Sequence, residues 1–239
     1  MIKLPQKMAA EFVGTFTLIF IGAGAICADQ FMKSGSPGAA GMGLLAIAAA
    51  HGLALSIMIS AVGHISGGHL NPAVTIGVWV TKRISTMEAL LYWVAQLAGA
   101  TAAAYFLTAL IPEDTWRAVS LGTPALAAGF TRTSGMILEA VMTFLLVWVV
   151  FATAVDERGA FNKIAGFAIG LTVMMDILVG GPFTGAAMNP ARAFGPALAA
   201  NFWTVHGVYW VGPLFGGALA GAIYDALYLK KPAAQKAME

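Results

Sequence analysis

The residues of this 239-residue chain able to do chemistry are four histidines, a few carboxylates in apolar surroundings, an isolated arginine and two asparagines each followed by proline. His64 and His69 are spaced His-x4-His, which can serve a metal, but no third ligand stands near them and His69 falls in a glycine-rich stretch. Ser56, Ser60 and Ser66 lie close in sequence to His51, His64 and His69, so a nucleophile–base pair can be drawn, yet no acid in a recognisable arrangement orients the base. Glu11 and Glu139 sit inside long apolar runs, where a carboxylate must be paired or hydrogen-bonded. They can either accept backbone N–H groups or relay protons. Asp176 invites the blander reading of an interhelical hydrogen bond, with a vestibule or subunit contact as the alternative.

The elements that must position these groups follow from composition. The chain is 59% hydrophobic and 10% charged, against about a quarter charged in soluble domains. Its apolar runs are long enough to span a bilayer, which takes about 20 helical residues. A polytopic helical membrane protein is therefore expected, with membrane lipid as a partner. The net charge of +2 implies no nucleic-acid partner, and the single Cys27 excludes an intramolecular disulfide or a cysteine metal cluster. No metal or cofactor is expected. The first apolar run is too long for a signal-peptide core and reads as a retained first helix.

Six full-length spans are expected near residues 8–28, 42–62, 88–110, 134–155, 163–180 and 207–229, and two half-length pieces near 71–81 and 189–199. With both termini cytoplasmic, the inside carries Lys3, Lys7, Lys82, Arg83, Arg158, Lys163, Lys230, Lys231 and Lys236, and the outside Lys33, Arg117 and Arg132. That excess of inner cations agrees with the positive-inside rule. The membrane is expected to be a cell membrane, plasma or inner.

The chain reads as one channel domain, residues 1–239, built from two repeats, 8–110 and 134–229. "EFVGTF" from Glu11 pairs with "EAVMTF" from Glu139, "GGHLNPAVTIG" from Gly67 with "GAAMNPARAFG" from Gly185, and "YWVAQLAG" from Tyr92 with "YWVGPLFG" from Tyr209. Three spans per half is an odd number, so the second half enters the membrane inverted. Inverted repeats with broken helices place a functional site at the midplane.

Irregular backbone is tolerated at that depth only where protein buries it or it lines a wet cavity. The stretches Gly63 to Leu70 and Gly180 to Met188 read as extended, with carbonyls free for a solute, among them those of Gly67, Gly68, His69, Gly185 and Ala187. Pro72 and Pro190 suit a first helical turn, Asn71 and Asn189 can cap it, and Ala73 and Ala191 are small enough to let the two helix ends meet. A narrow passage with two amides and two positive helix ends at its centre hydrogen-bonds neutral solutes, repels cations and interrupts a proton-hopping chain.

Duplicated Asn-Pro-Ala, at Asn71-Pro72-Ala73 and Asn189-Pro190-Ala191, with Arg192 after the second and the paired glutamates, resembles the aquaporin (major intrinsic protein) family over nearly the whole chain. The resemblance implies an all-α membrane fold of six helices and two re-entrant half-helices, a homotetramer and one water-conducting pore per subunit. It also implies an outer constriction of His51, Ile177, Ala186 and Arg192, and support of the pore loops by Glu11 and Glu139. Water-selective members often carry phenylalanine where His51 stands and histidine where Ile177 stands, so this set departs from theirs. It looks like the plant tonoplast intrinsic proteins, a branch associated with water together with ammonia or urea. Ala193 replaces the aspartate of glycerol facilitators, and "TPALAAG" from Thr123 lacks the loop histidine of some ammonia-permeable relatives. A passive channel for water, with small neutral solutes as an addition, is the expectation. An intramembrane hydrolase and a poorly conducting junction protein are the other classes considered.

Overall fold

The structure is a computed structural model that describes residues 2–158 and 164–229. Lys163, Lys230, Lys231 and Lys236, used above for orientation, lie outside the described residues. No strand occurs among the described residues; the elements are helices. Helices α1 (Leu4–Ser34), α2 (Gly43–Ser66), α4 (Thr86–Leu110), α6 (Arg132–Val150, extended by a π-helical turn to Val155) and α7 (Ala165–Thr184) are each long and apolar enough to cross a membrane. The sixth span, α9 (Val208–Tyr224), has 17 helical residues and continues through the π-helical turn Asp225–Leu229. Half-helices α3 (Pro72–Val80) and α8 (Pro190–Ala200) supply the two short pieces. Between α4 and α6 lies a short helix that hydropathy did not announce, α5 (Glu113–Ala118).

The irregular stretches are shorter than expected. α2 runs on to Ser66 and α7 runs through Pro182 to Thr184. The glycines at the end of each stretch stop the helix, not those at its start. Gly67 (φ 91°) and Gly185 (φ 79°) take the left-handed conformation that costs glycine nothing, and their N–H groups close the last turn on Gly63 and Gly181. Only Gly67–Leu70 and Gly185–Met188 leave the helical path.

Spans α1, α2 and α4 form one half and α6, α7 and α9 the other, and each half-helix crosses to the opposite half: α3 packs on α9, and α8 on α4. Small residues make those crossings possible, because lipid supplies no hydrophobic drive and close van der Waals approach holds membrane helices together. A Cβ on Gly221 would stand 2.6 Å from the Gly77 carbonyl oxygen, and one on Gly195 2.5 Å from that of Ala100. The "GGALAGA" run of α9 is thus a packing face against α3 and α6. The central crossing, α2 on α7, works the same way: a side chain on Gly170 would run into Ser56 Oγ and the Gly52 carbonyl.

Beyond the end of α6, Arg158 donates three hydrogen bonds to Asp156, two from its guanidinium and one from its backbone N–H, and the Tyr224 hydroxyl donates a fourth. Those contacts, Arg158 first, hold the Asp156 carboxyl well below the usual carboxylate range. A depressed carboxylate stabilises the fold above its unfolded pKa, about 3.9, and loses that contribution as pH falls toward the folded value. Asp156→Asn is therefore expected to lower the melting temperature by about 1–3 °C throughout pH 5–8, with the gap from the parent closing below about pH 4; a gap that widened on acidification would contradict this. Gly170→Leu is expected to cost about 3–10 °C in melting temperature by overpacking, while Gly207→Ala, with nothing within 4 Å of the added atom, leaves it unchanged.

Candidate functional site: a cavity between the two repeats

Each loop between a span and its half-helix is held by one carboxylate. Glu11 Oε1 accepts from Ser66 Oγ (2.7 Å) and the His69 N–H (2.9 Å); Oε2 accepts from the Leu70 N–H (2.6 Å) and Gln96 Nε2 (2.8 Å). Glu139 does the same in the other half, accepting from Thr184 Oγ1 (2.7 Å), the Ala187 N–H (2.9 Å) and the Met188 N–H (2.7 Å). Both carboxylates are fully buried, and each uses both of its oxygens to accept these bonds. Tyr92 and Tyr209 finish the anchoring by donating to the Ser66 and Thr184 carbonyls. The sequence reading missed these tyrosines, Ser66, Thr184 and Gln96. Their signal was present, since Tyr92 and Tyr209 open a repeated motif and Ser66 and Thr184 each directly precede a loop glycine.

At the centre α3 and α8 meet end to end. Asn71 Oδ1 caps α3 through the Ala73 N–H (2.8 Å), and Asn189 Oδ1 caps α8 through those of Ala191 (3.0 Å) and Arg192 (3.3 Å). Each amide nitrogen then reaches across the repeat boundary: Asn71 Nδ2 donates to the Met188 carbonyl and Asn189 Nδ2 to the Leu70 carbonyl, both at 2.9 Å. One N–H of each NH2 is used in that clasp, and the second remains for a solute. Asn71 and Asn189 line the cavity; Pro72, Ala73, Pro190 and Ala191 are buried behind them and do not.

The cavity is lined by Gly67, Gly68, His69, Ala186, Ala187 and Met188 from the two loops, with apolar walls such as Leu146, Val150 and Ile169. Its volume is about 30 Å³, and one water needs about 10–15 Å³, so it admits a file of a few waters and no pool. A second, wider cavity opens above it, lined by Gly122, Thr123, Gly181 and Gly185. His51, Ile177 and Arg192 line both cavities and so stand where they meet, with Ala186 on the inner side. His51 Nδ1 lies 2.9 Å from the Ile47 carbonyl oxygen, which can only accept, so Nδ1 carries a proton. Arg192 donates to the Gly122 carbonyl at 2.9 Å, and its Nε finds no partner among the described residues. Gly122, another residue missed from sequence, thereby ties the outer loop to Arg192. Ala186 adopts φ 43°, where Gly68 stands in the first repeat with φ 62°; the left-handed region costs a Cβ-bearing residue about 1–2 kcal/mol.

Several alternatives lose their geometry. Ser66 is bonded to Glu11 and Ser60 to the Ser56 carbonyl, while His69 Nδ1 faces Thr75, so none of these serines pairs with a histidine among the described residues. No cluster of three metal-ligating side chains occurs among them either. The interhelical hydrogen bond expected of Asp176 is not made at Oδ2, which is buried without a partner among the described residues. At 3% exposure Asp176 also faces no subunit surface.

The profile of the Major intrinsic protein family matches residues 1–224. The chain belongs to the major intrinsic protein family. Among its relatives, Aquaporin TIP4-4 of Zea mays is 46% identical over 226 residues, covering 94% of this chain and 87% of that protein. Probable aquaporin TIP3-2 of Arabidopsis thaliana is 46% identical over 229 residues, covering 92% and 82%. The X-ray structure of the aquaglyceroporin from Plasmodium falciparum superposes with a TM-score of 0.79 at 25% identity, covering 94% of this chain and 97% of that one. These findings correct the membrane assignment. The relatives carry the TIP name of tonoplast intrinsic proteins, of the vacuolar membrane, and not that of a plasma or inner cell membrane protein. What stands is an integral, multi-pass major intrinsic protein.

Replacing either carboxylate by its amide removes an acceptor from an N–H that nothing else reaches, at about 1–3 kcal/mol per buried donor left unpaired. Glu139→Gln is expected to lower the melting temperature by about 3–10 °C and to reduce flux. Glu11→Gln is expected to cost more, because its amide meets the Gln96 amide donor 2.8 Å away. Thermal unfolding of the two variants beside the parent checks the order.

Proposed function

We propose that this major intrinsic protein is a passive water channel that selects at two levels. At the middle, the free N–H groups of Asn71 and Asn189 and the N-terminal ends of α3 and α8 orient each water with its oxygen toward the amides. A water so held cannot pass a proton along the file, and the positive helix ends repel cations. At the mouth, His51, Ile177, Ala186 and Arg192 form the outer ring, where Arg192 repels cations and donates to the solute. The carbonyls of Gly67, Gly68 and His69, and of Gly185 and Ala187, step waters between these levels.

The observation that carries this reading is the reciprocal asparagine clasp in a cavity of about 30 Å³, which holds small solutes in file and not as a pool. The TIP relatives support water as the principal solute. Ile177 and Ala186 put two apolar groups in the ring, which supports urea or ammonia as additional solutes. A glycerol-type facilitator, compatible with the aquaglyceroporin likeness, is less well supported because Ala193 stands beside Arg192. Four subunits, each with its own passage, fit the apolar outer faces of α2 and α7, where Ile57 is 63% and Val179 60% exposed.

Stopped-flow light scattering of proteoliposomes under hyperosmotic urea tests both levels in one trace. Fast shrinkage is expected, followed by reswelling faster than in empty liposomes. Fast shrinkage with ordinary reswelling restricts the channel to water, and shrinkage at the empty-liposome rate overturns the reading. Mercurials are expected to leave the flux unchanged, because Cys27 is fully buried; block that disappears in Cys27→Ser would contradict this.

A further inference from the structure

We infer that Gly22 of α1 is a specificity-determining position of this channel: it gives the His51 imidazole the space that keeps it out of the passage. The inference rests on the outer-ring reading above. A Cβ placed on Gly22 would stand 2.5 Å from both Cδ2 and Nε2 of His51 and 3.0 Å from Cε1. One edge of the ring therefore lies directly on the backbone of α1, where only hydrogen fits. The opposite edge is held by the Nδ1–H bond to the Ile47 carbonyl. Between them, α1 and α2 fix the ring plane.

The neighbouring helices cannot give way instead. Gly52, next to His51, lies so close to α7 that its own Cβ would stand 2.6 Å from the Gly170 carbonyl oxygen. α2 is thus locked to α7 on the far side. Any volume added at residue 22 displaces the imidazole, which is the mobile end of a side chain, and the room available to it is the cavity that His51 lines with Ile177 and Arg192. The spacing that pairs Glu11 with Glu139 pairs Gly22 with Val150, and Val150 itself lines the inner end of the cavity. Gly24, on the same helix, serves as the contrast: its Cβ would meet only Leu107 Cδ2, at an ordinary 3.4 Å.

The test compares unitary water flux and urea flux in proteoliposomes for the parent, Gly22→Ala, His51→Ala, the double variant and Gly24→Ala. Gly22→Ala is expected to lower water flux roughly tenfold, equivalent to about 1.4 kcal/mol on the barrier, and urea flux at least as much. The double variant is expected to match His51→Ala, because the added methyl then has no ring to displace, and Gly24→Ala to match the parent. If His51→Ala leaves both fluxes at the parent's values, the outer-ring reading itself fails, in a chain whose Gly22 is intact. If His51→Ala changes flux but Gly22→Ala does not, or the Gly22→Ala loss persists in the double variant, the role given to Gly22 fails alone. Should Gly22→Ala not fold, recovery of folded, conducting protein in the double variant supports the contact, and failure of the double overturns it.

Discussion

A peptide group in hydrocarbon has no water to turn to, so every N–H and C=O at membrane depth must find a partner in the protein or face a wet passage. This molecule breaks two helices at that depth and meets the requirement with two carboxylates. Glu11 and Glu139 collect the N–H groups of the broken stretches, while Tyr92 and Tyr209 take the carbonyls at the helix ends. The carbonyls left over are those beside the cavity. A polar group buried in a membrane is costly unless it is hydrogen-bonded, and here each carboxylate accepts from at least three donors, two of them backbone N–H groups.

The twofold plan is carried by the backbone and departed from by side chains. Asn71 and Asn189, Ser66 and Thr184, Tyr92 and Tyr209 do equivalent work in the two halves. His51 and Arg192 have no counterparts at the other end, and Gly122 of the outer loop attends to Arg192 alone. Within the loops, Gly68 and Ala186 share a left-handed conformation that suits only the glycine. The alanine accepts strain and adds a methyl beside the ring, so local conformational cost and the size of the opening are set by one residue.

Much of this was legible in the sequence. Hydropathy and the repeated motifs located the six spans, both half-helices and their inversion, because apolar length and motif spacing report directly on helix count. Helix ends were less legible. α1 continues to Ser34, past the apolar run, because polar residues such as Asp29 and Lys33 pair with each other one turn apart and keep the helix going. The glycines that end α2 and α7 were misplaced by several residues, since sequence shows where glycines are but not which one adopts a positive φ. The anchors Tyr92, Tyr209 and Gln96 were passed over for a different reason: the repeated motif marked the tyrosines, but sequence does not show which loop carbonyl or carboxylate a side-chain donor reaches until the fold puts the partner in place. Asp176 remained opaque in both views, as a buried carboxylate whose Oδ2 has no partner among the described residues.

The crossed bonds of Asn71 and Asn189 also constrain how the protein comes into being. Their acceptors lie 117 and 119 residues away along the chain. A nascent chain that has inserted α1 to α4 has its first half-helix and its carboxylate anchor, but Asn71 must wait for a carbonyl not yet synthesised. Closure of the pore therefore needs the second half of the chain. A half-built molecule presents an open polar groove to its own second half, and the same two bonds that complete the passage register that the chain has been finished.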